Sequence, residues 1–214
     1  MVACSNGGAP IALESKLGIE SDIELAREEE RLTKLRALGL FGSGLLDSFE
    51  AGTFAGLAQI HRHLFQDVYA FAGKRCEVNI TAKGNFCFAP VMYLSAALDA
   101  IDKMPQATFD EIVEKYVEMN VAHPFREGNG RSTRIWLDLI LKKELGRVVD
   151  WSLVDKEDYL LAMERGTVRD TEIKALLGAA LTDAVDDRQV YMKVVDASYR
   201  YEGYSAYTMD ELDG

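Results

Sequence analysis

Between Ser132 and Leu145 the residues Ile135, Trp136, Leu137, Leu139, Ile140 and Leu141 form a helical stretch that is apolar nearly all round. Such a helix must be wrapped on every side, so it belongs at the middle of a bundle. The flanking sequence supplies the wrapping. Ser21 with Glu24 opens a charged helix to about Leu38, where Gly39, Gly42 and Gly44 break it. A helix after Thr53 spaces Phe54, Leu57, Ile60, Leu64 and Phe65 on one face. Another starts near Val91 and stops before Pro105, and Thr108 with Glu111 caps one that ends near Pro124. Asp155, Asp170 and about Asp187 open three more, reaching Glu164, Ala184 and Glu202. Residues 77–90, EVNITAKGNFCFAP, alternate around Gly84-Asn85 and give the one hairpin signal. A single mainly α domain with one small hairpin is expected.

With 24 Lys and Arg against 35 Asp and Glu, the net charge is −11, which argues against non-specific nucleic-acid binding. No apolar run approaches the roughly 20 residues of a membrane span. Cys4, Cys76 and Cys87 are widely spaced with no C-x-x-C pair, which favours a reduced, cytoplasmic protein. Residues 1–12 lack the features of a signal peptide and are expected to be a disordered leader. His61 and His63, two apart on a helix, make a poor metal pair, and the Glu28–Arg31 run reads as a solvated helix face.

The chemistry concentrates in residues 123–134, HPFREGNGRSTR. Gly128 and Gly130 flank Asn129, so backbone N–H groups can turn toward a ligand without Cβ interference. The central helix begins there, aiming its positive dipole end and free N–H groups at the loop, which makes an anion site. Arg131 and Arg134, three apart in the first turns, oppose the dipole and make sense around an anion. Glu127 beside phosphates suits a bridging Mg²⁺. His123 is the nearby base able to titrate near neutral pH.

This segment resembles the signature of Fic-domain proteins, HPFx[D/E]GNGRxxR, with every defined position filled, and the likeness extends from about residue 20 to 204. The resemblance implies a Fic-type helical bundle with a small β-hairpin flap, occupying residues 13–204, followed by a flexible tail over 205–214. It implies transfer of AMP from ATP to a Tyr, Ser or Thr hydroxyl of a target protein, with release of pyrophosphate. His123 would be the general base and Glu127 the Mg²⁺ ligand. Gly128, Asn129 and Gly130 would form the phosphate nest. Arg131 would pair with the β- and γ-phosphates, Arg134 would secure the γ-phosphate, and Phe125 would anchor the loop. Lys83, Gly84, Asn85 and Phe86 would form a flap that docks the target.

In the last helix, about 187–203, Tyr191, Val194, Val195 and Ser198 share a face that Glu202 continues, and Gly203 suits the helix end. A carboxylate in a final turn is disfavoured by the dipole, which suggests a specific partner. Ser198-x-x-x-Glu202-Gly203 is similar to the inhibitory motif [S/T]xxxE[G/N] of autoinhibited Fic proteins. That similarity implies that Glu202 pairs with Arg134 and withdraws it from ATP. Tyr199 is the implied self-modification site, with Tyr201 and Tyr204 as competitors. The same residues would serve removal of AMP from a modified protein, with Glu202 orienting water. A non-enzymatic nucleotide-binding regulator is the other alternative. The family points to a DNA topoisomerase as target, and a homo-oligomer is open.

Overall fold

Two glycines in the left-handed region, Gly128 (φ 76°) and Gly146 (φ 63°), bracket the central helix α5 (Asn129–Leu145). The computed structural model describes residues 15–79, 88–203 and 206–213. Around α5 lie α1 (Asp22–Gly42), α2 (Phe54–Phe65), α3 (Val91–Asp102), α4 (Phe109–Ala122), α6 (Lys156–Gly166), α7 (Thr171–Ala179), α8 (Arg188–Glu202) and the short α9 (Met209–Asp213). α2, α4 and α8 pack directly on α5, and Trp136, Leu137, Ile140 and Leu141 are fully enclosed. Most helix starts are where the expected caps put them, although Asp170, before α7, makes no side-chain cap bond. Thr108 and Glu111 complete a reciprocal capping box, and Thr53, Asp155 and Asp187 accept first-turn N–H groups.

Five expectations are corrected. α1 runs to Gly42, because Gly39 and Gly42 are carried inside the helix and Gly44, at φ 68°, sits beyond its end. α5 begins at Asn129 rather than Ser132, with left-handed Gly128 as its N-cap. α7 stops at Ala179, because Leu181–Thr182 (β2) pairs antiparallel with Val148–Val149 (β1) and draws the chain out of the helix. The Glu28–Arg31 run is no solvated face: Glu29 and Glu30 are buried, each with its own polar partners. Residues 206–213 are not a loose tail. Met209 is fully buried, and Glu30 on α1 accepts the N–H groups of Ala206 (2.9 Å) and Tyr207 (3.3 Å). Lys34 joins this clamp, contacting Glu30 (3.0 Å), Asp196 of α8 (2.7 Å) and the Tyr207 carbonyl (2.5 Å).

Residues 80–87, which include Lys83, Gly84, Asn85 and Phe86 of the expected flap, lie outside the described residues, as do residues 1–14, Cys87 and Tyr204. The flanks of 80–87 are pinned beside the motif. Cys76 N–H donates to Pro124 O (2.7 Å), and Ala89 N–H donates to Val121 O (3.0 Å).

Candidate functional site

His123 closes α4 in the left-handed conformation (φ 49°, ψ 61°), the one non-glycine with positive φ among the described residues. A histidine tolerates that region at some cost, and the turn it makes starts the loop to α5. Its ring is half-buried and stacks on Phe88 at 3.6 Å between centroids. Phe125 points inward as expected, fully buried and stacked on His61 at 3.8 Å. Asn129 closes the loop from the other side: its Oδ1 accepts the Phe125 N–H (2.8 Å) and its Nδ2 donates to the Phe125 carbonyl (2.7 Å). That side chain is therefore spent on holding the loop, so any anion contact at Asn129 falls to its backbone. Gly128 is required twice over. Its φ favours glycine, and an added Cβ would lie 2.4 Å from the Phe65 ring.

His61 is a support that the sequence reading missed. Its Nδ1 accepts the Gly73 N–H (2.9 Å), which leaves Nε2–H to donate to the Glu127 carbonyl (2.8 Å). Burial pushes its pKa down to about 3, so the ring is a neutral strut under the loop. No sequence signal beyond a histidine on a core-facing stripe pointed to it.

Arg131 and Arg134 are both only 4% exposed, and their surroundings differ. Arg131 is ringed by carboxylates. It donates to Glu29 of α1 and to Glu127 (2.8 Å), and its Nε lies 3.2 Å from Glu202 Oε2. Burial alone would lower its pKa, but Glu202, Glu29, Tyr199 and Glu127 outweigh burial and hold it well above its ordinary value. Tyr69 donates to the second oxygen of Glu29, so both oxygens of that carboxylate are engaged. Glu29 is the second missed residue. It was hidden inside an acidic run, where three neighbouring glutamates look alike in sequence.

Arg134 sits in a box of rings, its guanidinium 4.8 Å from Tyr201, 5.0 Å from Tyr159 and 5.6 Å from Trp151. Its Nη1 donates to Ser198 Oγ (3.2 Å). Its Nε is buried with no hydrogen-bond partner among the described residues. Glu202 was expected to pair with Arg134. An ion pair runs from Glu202 to Arg131, and the Glu202 charge also helps raise the pKa of Arg134. Gly130 lies between them: an added Cβ would stand 3.3 Å from Arg134 Nη1 and 3.6 Å from Glu202 Oε1. Gly203 ends α8 in the left-handed conformation (φ 89°). Tyr199 faces inward, its hydroxyl against Thr33 and 3.3 Å from Arg131 Nη1. Its modification would require the end of α8 to swing out.

The arrangement brings a histidine, a carboxylate, two buried guanidinium groups and the first turn of a buried helix to one loop. The fold and site define a helical protein built to present an anion-binding loop, with a carboxylate from its own last long helix inserted among the arginines. Residues 53–141 match the model of the Fic/DOC family, and the chain belongs to that family. It is 33% identical over 165 residues to y4lH of Sinorhizobium fredii, named a probable protein adenylyltransferase, covering 72% of this chain and 82% of that protein. It is 29% identical over 188 residues to protein adenylyltransferase VbhT of Bartonella schoenbuchensis, covering 81% of this chain but 38% of the longer relative. The crystal structure of BepC with bound AMPPNP, from Bartonella tribocorum, shares the fold with a TM-score of 0.66 at 19% identity, covering 80% of this chain and 93% of that one.

Proposed function

We propose that this chain is an autoinhibited, cytoplasmic protein adenylyltransferase that moves AMP from ATP to a hydroxyl side chain of a target protein. The observation that carries the reading is the shared Arg131, held at once by Glu127 of the loop and Glu202 of α8. His123 accepts the proton of the target hydroxyl while its oxygen bonds to the α-phosphorus. The bond from that phosphorus to the bridging oxygen breaks, and pyrophosphate leaves. The first-turn N–H groups of α5, Arg131 and Arg134 stabilise charge on the phosphates. The unpartnered Arg134 Nε is the kind of buried donor that an anion would satisfy.

Glu127 fits a Mg²⁺ role: it is a hard carboxylate, a third exposed, placed beside the loop. Among the described residues no three His, Cys, Asp or Glu side chains converge as a metal cage, so phosphate oxygens would complete the shell. When bound, Mg²⁺ would supply charge neutralisation for the phosphates. Glu202 competes with those phosphates for Arg131, and its charge also bears on Arg134, which is the proposed inhibition. Opening the last turn of α8 releases it.

The test is labelling with α-³²P-ATP and, in parallel, γ-³²P-ATP, on a cell lysate and on a purified DNA topoisomerase as first candidate target. Label is expected from the α-phosphate alone, weak in wild type and stronger in Glu202→Gly. In His123→Ala it should fall by about 10²–10⁴-fold. Label from the γ-phosphate, or full labelling without His123, would overturn the reading.

A further inference from the structure

Along the middle and C-terminal half of α5 lies a cavity of about 430 Å³. It is bounded by the end of α1, the turn after it, α5, and the start of α8. That volume falls within the range of small-molecule sites, roughly 300–1,000 Å³. The walls are largely apolar, formed by Ile135, Leu139, Val190 and the stacked pair Phe41 and Tyr191, whose ring centroids are 4.7 Å apart. Four carboxylates also line it, Asp47, Asp138, Asp186 and Asp187, against a single cation, Lys142. Lys142 is already claimed by Asp47 (2.9 Å) and Asp186 (2.8 Å).

Asp138, on α5, differs from the other three in being half-buried where they are exposed. Its Oδ1 accepts the Val149 N–H (2.9 Å) and its Oδ2 accepts the Trp151 Nε1–H (3.1 Å). Both donors are neutral, and each oxygen keeps a second lone pair. A carboxyl group in an apolar recess, short of positive charge, is matched by a ligand that brings a cation on an apolar body. A metal ion would leave most of the apolar wall bare.

We infer that this cavity is a binding site for a small organic ammonium ion carrying an aromatic or aliphatic body, with its charge set against Asp138. The body lies along Ile135, Leu139 and Val190, beside the Phe41–Tyr191 stack. The ammonium donates to the open lone pairs of Asp138. An occupant would tie the first turn of α8 to α1 and α5. Through Asp138 it would touch on the Arg134 box, because Trp151 donates to Asp138 and faces Arg134.

Isothermal titration calorimetry at pH 8 with tryptamine, indole-3-ethanol and indole-3-propionate, one ring system with three charges, tests this without relying on enzymatic activity. Tryptamine is expected to bind at least about tenfold tighter than the neutral alcohol, and the propionate not to bind measurably. Asp138→Asn should bring tryptamine down to the level of the alcohol. Val190→Trp, which fills the cavity from a half-buried position, should abolish binding of both. Burial lifts the pKa of Asp138 to about 7, so tryptamine binding should weaken from pH 8 to pH 6 while binding of the alcohol stays constant. Equal affinity for all three ligands would overturn the site. So would no heat with millimolar tryptamine, or full tryptamine binding in a folded Val190→Trp variant.

Discussion

Arg131 and Arg134 are one helical turn apart, equally buried, and carry the same charge, yet carboxylates crowd one far more than the other. Both lie over rings, Arg131 over Phe65 (4.9 Å) and Tyr199 (5.0 Å) and Arg134 over Tyr159, Tyr201 and Trp151, but Arg131 adds ion pairs to Glu29, Glu127 and Glu202. A guanidinium among carboxylates can be handed from one anion to another, because each exchange replaces a charge with a charge. A guanidinium among ring faces is placed by shape and the quadrupoles of the rings, and stays put when anions come and go. On the proposed mechanism Arg131 is thus the arginine whose anions are exchanged, and Arg134 the one seated among rings, with Tyr201 and Ser198 of α8 among its contacts.

The largest expected effect separates the two directly. Arg131→Met leaves three carboxylates facing one another around a buried gap, and should cost about 3–5 kcal/mol of unfolding free energy. Arg134→Met puts an apolar chain among rings, and Ser198 keeps its bond to the Val194 carbonyl (2.7 Å), so the loss should be about 1 kcal/mol. Urea denaturation measures both. Adding Glu29→Gln to Arg131→Met should recover part of the loss, since it removes the repulsion. Equal losses for the two single variants would break the comparison.

Within the carboxylate set the contrast sharpens further. Glu29 is 6% exposed with both oxygens engaged, whereas the Glu202 side chain is 14% exposed at a helix end. Glu29→Gln should cost about 2 kcal/mol and lower AMP transfer, because it unseats Arg131. Glu202→Gln, at the more open helix end, should cost about 1 kcal/mol and raise transfer. Paired urea melts and α-³²P labelling check this. If the two variants shift transfer in the same direction, Glu29 and Glu202 do not have separate roles.

What the sequence made legible follows from how local each cause is. Capping residues act over three positions, so Thr53, Thr108 and Asp155 placed helix starts correctly. The motif is contiguous, so His123 through Arg134 could be read as one site before any fold was known. Glu29 lies 102 residues from Arg131, and its burial is decided by a tertiary contact that leaves no periodic trace in an all-acidic run. The same applies to β1 and β2, two-residue strands whose pairing is set across the chain, and to Met209, whose burial depends on Glu30 and Lys34 of α1. The Glu202–Arg131 pairing was missed for a finer reason. Ser198 and Glu202 stand one turn apart on α8, Ser198 accepts from Arg134 Nη1, and Glu202 reaches Arg131, a choice between neighbouring arginines that spacing alone does not make.

The smallest effect probes the supports behind each arginine. His61 braces the loop from which Arg131 extends, and Asp138 holds Trp151 beneath Arg134. The first has its pKa pushed down by burial to about 3, the second pushed up to about 7. Their pH dependences therefore oppose. For His61 the unfolded chain binds the extra proton, so stability is lost as pH falls below about 6.5. For Asp138 the folded chain holds the extra proton, so stability is lost as pH rises from about 4 through 7. In wild type the two slopes largely cancel between pH 5 and 6.5. His61→Asn should leave the Asp138 slope, with Tm falling by a few degrees per unit as pH rises across that window. Asp138→Asn should leave the His61 slope, with Tm rising by a similar amount. His63, also lowered by burial, contributes equally to both variants and drops out of their difference. Thermal melts from pH 5 to pH 7 decide the matter, and parallel slopes in the two variants would mean that the arginine supports are not electrostatically distinct.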